Sequence, residues 1–374
     1  MVQQAIMLDH LANSAAWLVF RARLARTLRS GEAALASREE LEALVSTQTE
    51  WWEKRGPLRS LRKTSALAAL NQRSLRTYIF SVRAGKISVW KKVPPAPPVA
   101  DKSRQPGLPR LPALRAGLCK IYLERVLGMS GNEGSFDFAL DVGDRPGDTE
   151  AFPVFGFQRD ATSHNIVLPD PDFFHYDWYR RDDDPFTYEA KEIRACFAGA
   201  STGGRRLDAN AIRNVQIPRL RAAAYFQGNP DVLFRISAAA QCASPDVASL
   251  LKAQPYFGPH IPWRDQLRNR FIISMDGNAA TWSRMTRSLL SNSAVIKYRS
   301  PAQLFYFPAL QAGREYISVD SEVEVQPIVQ REREQPGAYR HVAQAGHLFA
   351  KRYLSAASVF SYTALLMRRI ALMQ

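Results

Sequence analysis

Cysteine is nearly absent. Three thiols, Cys119, Cys196 and Cys242, stand far apart in 374 residues, odd in number and with no CxxC pair. That spacing speaks against a disulfide framework and a thiolate zinc site, and it fits a reducing compartment. Long uncharged apolar runs are missing too, none approaching the ~20 residues a helix needs to cross a bilayer. The amino terminus, MVQQAIMLDHLANSAAWLVF, lacks a charged leading region before a clean apolar stretch, so it reads as a poor signal peptide. Acidic residues are scarce at first: residues 1–110 hold 19 Lys+Arg against 8 Asp+Glu, a balance of +11 in a chain whose total is +15. Residues 141–190 reverse this, with 4 basic and 12 acidic groups, a balance of −8. A basic leading segment points to an anionic partner, namely a membrane surface, a nucleic acid or a phosphorylated glycan, or else to a solvated basic helix.

What is present is a globular composition. Apolar residues make up 46% and charged residues 23%, enough to build cores and too little charge for wholesale disorder. The length suggests roughly two to three domains. Residues 1–70 read as helical. In AAWLVFRARLARTLRS, Trp17, Phe20 and Leu24 fall near one face, with Arg21, Arg23, Arg26 and Arg29 over much of the rest. Such a helix either packs its stripe on its own protein or lies on anionic lipid. SLRTYIFSVRAGKISVW predicts a hairpin turning at Ala84-Gly85-Lys86. Seven prolines between Pro94 and Pro112 then predict an extended connector. From about residue 115, strand-like and helix-like runs alternate to the end of the chain, which predicts an α/β architecture with parallel strands.

In open α/β sheets ligands sit beyond the carboxyl ends of strands, and four such ends carry polar groups. FALDVGDRP places Asp144 just past a strand, between Gly143 and Pro146. It is either a general base for a hydroxyl or an aspartate closing a turn. FAGASTGGRR offers Gly199, Ser201, Thr202, Gly203 and Gly204, followed by Arg205 and Arg206, a composition suited to phosphate although it is not a Walker A loop. SMDGNAATWSRMTRSLL puts Asp276-Gly277 before a helix start carrying Trp282, Ser283 and Arg284, where a phosphate can be received and paired. Trp282 either stacks on a base or packs beneath its loop. FGFQRDATSHNIVLPDP sets Ser163 and His164 after a strand, as substrate contacts or as structural groups. Asp182–Asp184 have the form of a metal-binding DxD, but they follow HYDWYRR and not a strand end, so they read as a solvated acidic loop.

Taken in order, FDFALDVGDRP, FPVFGFQRDATSHNIVLPDP, FAGASTGG and RFIISMDGNAATWSRMTRSLLSNSAVIKY resemble glycosyltransferase family 90. That family includes capsule-associated xylosyltransferases, lipopolysaccharide glycosyltransferases and protein O-glucosyltransferases. The resemblance runs from about Thr77 to the C-terminus, with FYFPALQAGREYISV and GHLFAKRYLS adding to it. It implies a GT-B fold, two Rossmann-like domains facing a cleft, here with an N-terminal helical extension (1–70) and C-terminal helices. The expected parts are an acceptor domain at 71–190, a nucleotide-sugar domain at 191–340, and helices at 341–374 packing back on the acceptor domain. It further implies inverting transfer from a UDP-sugar (xylose, glucose or galactose), with neither catalytic metal nor cofactor. Asp144 falls on the family's base, Arg284 on its donor-side arginine, and Gly199–Gly204 on its glycine loop. Many members carry arginine where this chain has Ala198, so that contact is either lost or supplied by Arg205, Arg213 or Arg219.

The acceptor expected is a saccharide or lipid-linked glycan, a lipopolysaccharide core or capsule precursor, reached from the cytoplasm at the periphery of the inner membrane through the basic N-terminal region. Two rivals stand beside this reading. One is a catalytically degenerate sugar-nucleotide binder. The other is a basic nucleic-acid-binding protein, opposed by the acidic stretch and by the lack of any recognition motif.

Overall fold

The hairpin is set by two residues. Ala84 (φ 48°) and Gly85 (φ 74°) both take left-handed backbone, the pairing whose twist matches that of the strands it joins. A computed structural model describes residues 15–29, 36–58, 61, 76–90, 110–131, 134–176, 184–204 and 206–374. The hairpin strands are β1 (Thr77–Arg83) and β2 (Lys86–Trp90), paired antiparallel. On its other edge β1 pairs antiparallel with β3 (Phe136–Asp141), setting Phe80 opposite Phe138 with stacked rings 5.1 Å apart. β3 continues parallel to β4 (Val154–Gly156), and β4 parallel to β6 (Ile166–Val167), giving the order β2-β1-β3-β4-β6. Every residue of β3 is buried, as expected for a strand covered on both faces. A short pair, β5 (Arg159–Asp160) with β11 (Ala302–Gln303), stands apart from this sheet.

Two compact units divide the chain. The first draws on Met1–Arg180, Ala302–Ala309 and Ser355–Gln374; the second on Arg181–Pro301 and Leu310–Leu354. The first unit's helices are α1 (Ala15–Arg29), α2 (Arg38–Glu53), α3 (Arg110–Ser130), α4 (Asp172–His175) and α12 (Ala356–Met373). α2 starts at a reciprocal capping box between Ser37 and Glu40. α12 packs on α2 and α3, fixed by Tyr362, which donates to Val167 O at 2.9 Å, and by a 2.7 Å bond between Tyr122 and Thr363. The last helix of the chain therefore completes the first unit's core. The chain enters it at Ser355, whose hydroxyl caps the helix by accepting from Ser358 N, whereas the sequence suggests a cut at 340/341.

The second unit's sheet is wholly parallel: β7 (Glu192–Ala200), β8 (Val232–Ala238), β9 (Asn269–Ser274), β10 (Ala294–Tyr298) and β12 (Ile317–Val319), ordered β12-β10-β9-β7-β8. Numbered within the unit this is 2-1-3-4-5, a doubly wound order whose direction reverses between β7 and β9. β9 and β10 are buried throughout, and Phe197, Ile236, Phe271, Ile273 and Ile296 form the centre of the core. Connecting helices are α5 (Ala209–Arg213), α6 (Pro218–Tyr225), α7 (Pro245–Lys252), α8 (Trp263–Gln266), α9 (Trp282–Leu289), α10 (Val325–Glu334) and α11 (Arg340–Tyr353). The parallel expectation thus holds across the second unit and for half of the first, where the hairpin adds antiparallel neighbours.

One open local reading is decided and another changes. Phe20 and Leu24 of α1 are buried, with α1 packed on α4 and α3, so this stripe faces the protein; the side chains of Trp17, Arg26 and Arg29 lie outside the described residues. Asp184 is not solvated. Its side chain is 2% exposed and pairs at 2.6 Å with Lys191, itself 0% exposed, while also accepting from Phe186 N and Asn292 N. Asp182 and Asp183 fall outside the described residues. The acidic run looked solvated because nothing local marks the lysine seven residues on as its partner. A buried pair broken on one side leaves an uncompensated charge. Asp184→Ala is therefore expected to destabilise the protein by about 3–5 kcal/mol in denaturant unfolding, and Glu189→Ala, at an exposed ion pair with Arg340, by less than about 1 kcal/mol.

Candidate functional site

The switch point of the second unit is held by one side chain. Arg219, in the first turn of α6 and 8% exposed, donates through Nη2 and Nε to Met275 O (2.8 and 3.3 Å), and through Nη1 to Ala200 O (3.0 Å) and Thr202 Oγ1 (2.8 Å). It ties the end of β7 to the end of β9, so the two glycine-bearing loops read from the sequence become neighbours. Glycine is needed there for closeness. A Cβ on Gly277 would lie 2.5 Å from Thr202 Oγ1 and 3.1 Å from Arg219 Nη2. Gly203 has φ +131°, and a Cβ on Gly199 would lie 2.9 Å from the Phe197 ring. Their N–H groups are partly engaged: Gly203 N donates to Asn278 Oδ1 (3.3 Å) and Gly277 N to Ala279 O (3.1 Å). Ser201 braces its loop, donating to Ala240 O and accepting from Ala240 N.

A second arginine joins the first. Arg284, in the first turn of α9, donates to Ala198 O and to Gln266 Oε1 (3.0 Å), with its guanidinium 4.6 Å from the Phe197 ring centre. Arg219 lies 5.2 Å from that ring, and Arg287, one turn beyond Arg284, lies 4.4 Å from Trp263. Burial pushes the Arg219 guanidinium down to about 10, with the Asp276 carboxylate pulling it back up. Burial also brings Arg284 down to about 10, and the neighbouring charges of Arg219 and Arg287 push the same way. Asp276 accepts from Ser300 at 2.5 Å, and its other oxygen is buried without a hydrogen bond among the described residues. Crowded like charges in a low-dielectric setting favour an incoming anion. Trp282 and Ser283 sit half-buried at the start of α9, Arg213 is exposed at the end of α5, and Arg205 lies outside the described residues.

In the first unit a buried aspartate shapes the loop that bears Asp144. Asp141, 1% exposed at the end of β3, accepts from Gly143 N (2.8 Å), Gly147 N (3.2 Å) and Thr77 Oγ1 (3.4 Å). Asp144 is half-buried on this loop. Its carbonyl accepts from Gln158 Nε2 (2.5 Å), and its carboxylate lies 3.7 Å from Arg115 Nη1. A Cβ on Gly143 would lie 2.8 Å from the Arg76 side chain. Beside the loop is a polar cavity of about 240 Å³ lined by Arg145, Pro146, Asp148, Gln158, Asp160, Thr162, Ser163 and Asn165. Ser163 Oγ is buried there without a hydrogen bond among the described residues. His164 has a different environment: its ring stacks on Trp51 (3.7 Å, 10°), and its carbonyl accepts from Trp52 Nε1 at 2.7 Å.

Residues 125–374 match the family model described as glycosyl transferase family 90. The chain belongs to glycosyl transferase family 90. The match begins later than the Thr77 suggested by the motifs, and it includes Asp144 and the whole switch point. Among solved structures, one described as the crystal structure of the GtfA/B complex is similar at 12% identity, over 51% of this chain and 38% of that one, with a TM-score of 0.32. The chain thus spans well under half of that structure's length, and a likeness so slight carries no argument. Comparison with curated proteins gives no match.

This family 90 glycosyltransferase contains, among its described residues, no group of three or more His, Cys, Asp or Glu placed to hold a metal ion, and no helix long and apolar enough to cross a membrane. Its three cysteines are free. Sequence reasoning missed Arg115, Asp170 and Asp172. Nothing in LPDPDFF signals that Asp170 ends up 3% exposed. Burial, and then the Asp172 charge, raise the Asp170 carboxyl to about 8.

Two predictions follow from this geometry. Gly277→Ala forces the new methyl into Thr202 and Arg219, so a loss of about 1–3 kcal/mol is expected, together with weaker nucleotide binding by calorimetry. Asp170 is raised in the folded state, so its contribution to stability is complete below the ordinary carboxylate range and lost as pH rises through about 8. Asp170→Asn cannot ionise, and its melting temperature is expected to gain on wild type between pH 5 and pH 9; parallel curves would show that Asp170 titrates normally.

Proposed function

We propose that the protein is an inverting, metal-independent glycosyltransferase that moves a sugar from a UDP-sugar to a hydroxyl of a saccharide acceptor, a lipopolysaccharide core or capsule precursor. The observation that carries this reading is the pair of arginines, buried Arg219 and half-buried Arg284, gathered with Thr202 and Gly277 where the doubly wound sheet reverses. Donors fixed before reaction stabilise charge as it develops on the leaving diphosphate, without reorganising. Arg219 also answers the departure at Ala198. That residue is buried in β7, and a guanidinium reaches the same strand end from α6.

In this mechanism Asp144 takes the proton of the acceptor hydroxyl as oxygen attacks the anomeric carbon from the face opposite the diphosphate. The bond from that carbon to the diphosphate oxygen breaks, and its electron pair leaves with UDP. Arg284 and Arg219 hold the negative charge. The polar cavity beside Asp144, with Ser163 on its wall, suits hydroxyl groups of a saccharide. The basic N-terminal region, with Leu18 and Val19 exposed beside Arg21, suits approach to an anionic lipid-linked acceptor from the cytoplasmic side.

Asp144→Asn is expected to abolish transfer and leave UDP affinity within about twofold, since the base touches the acceptor. Arg284→Ala is expected to weaken UDP binding tenfold or more, on the order of a lost charge-assisted hydrogen bond. An unchanged calorimetric affinity for UDP would remove the assignment of Arg284. A thermal-shift screen with UDP-glucose, UDP-galactose and UDP-xylose chooses the donor. A second reading, a degenerate binder, is favoured by Ala198, and measurable hydrolysis of the donor that binds would exclude it.

A further inference from the structure

Arg115 lies outside the matched family region, on α3, yet it reaches the proposed base. Its guanidinium, 19% exposed, donates to Val142 O at 3.1 Å, and lies 3.7 Å from one oxygen of Asp144 and 3.7 Å from one oxygen of Asp172. One cation therefore straddles two carboxylates while bonded to the backbone of the loop that carries the first. Behind it stands Asp170. Asp170 Oδ1 accepts from Asp172 N at 2.9 Å, and Asp170 Oδ2 is buried without a hydrogen bond among the described residues. Other groups face this network from neighbouring elements. Cys119 is on α3, and His175 on α4 is close enough to sense Asp172. Arg23 on α1 donates to the carbonyl of His175.

The balance of charge has a chemical consequence. An opposite charge within about 4 Å of a carboxylate favours its ionised form, the form able to take a proton. We propose that Arg115 is the positioning residue of the transfer reaction: bonded to the loop at Val142 O, it fixes the Asp144 carboxylate and, as the opposite charge 3.7 Å away, sets the pH below which the base is protonated and idle. This rests on the reading of Asp144 as the base. The proton involved is the one leaving the acceptor hydroxyl; it moves to a carboxylate oxygen of Asp144.

The test reads the carboxylate itself. In the full-length protein labelled with 13C at aspartate side-chain carboxyls, the Asp144 resonance is identified by its loss in Asp144→Asn. Its titration midpoint is expected to rise by about one unit or more in Arg115→Gln, the scale of removing an opposite charge at this distance. It is expected to rise less in Arg115→Lys and to stay in place in Asp170→Asn, where one uncharged group replaces another. A midpoint unmoved in both arginine variants overturns the proposal; if Arg115→Gln fails to fold, the lysine variant still decides it. In turnover, the acidic limb of kcat should move with the midpoint while KM for the donor stays constant, whereas a merely structural arginine would lower kcat without moving the limb. Should Asp144→Asn retain transfer while the midpoint shifts, the reading of the base falls and the electrostatic coupling survives, so the two failures can be told apart.

Discussion

The second unit depends on one guanidinium. Arg219 bonds two strand ends and a loop hydroxyl, so the carboxyl ends of β7 and β9 are closed around a fixed positive charge. Among the described residues no carboxylate is hydrogen-bonded to that charge; Asp276 acts on it through space. A buried cation held by carbonyls and a hydroxyl stays charged at an energetic cost, and a polyanion in the neighbouring space offsets that cost. The glycines are explained by the same side chain, since a methyl at Gly277 would enter the volume that Thr202 and the guanidinium fill.

The first unit solves the complementary problem, placing a carboxylate without neutralising it. Asp141 gives up its own reactivity to the loop N–H groups that it accepts, which leaves Asp144 half-buried on a well-defined turn. Arg115, on α3, brings its cation to 3.7 Å from that carboxylate and from Asp172 at the start of α4. Two aspartates three residues apart thus have opposite fates, decided by which carboxylate meets the backbone donors.

Much of this was legible in the residues. The hairpin followed from Ala84-Gly85 between β-rich runs, and the parallel strands from apolar runs such as RFIIS and AVIKY. The ordered loops bearing Asp144, Gly199–Gly204 and Asp276-Gly277 gave the family. Less legible was anything that depends on long-range partners. Asp184 looked solvated and is buried against Lys191; His164, open between a substrate contact and a structural group, stacks on Trp51, more than a hundred residues earlier. The helices α7, α8 and α10 left weaker signals, because short helices on a sheet surface are held by packing more than by their own periodicity.

The sequence by itself determined which residue types stand at strand ends, and therefore the family and the class of chemistry, because turns, glycines and apolar alternation are local and act over a few residues. Only the tertiary structure decided which charges are buried together. Arg219 meets Met275 and Ala200 because the doubly wound order sets β7 beside β9, and Arg115 meets Asp144 because α3 packs near the end of β3. Burial and charge pairing are properties of distance in space, and chain order does not specify that distance.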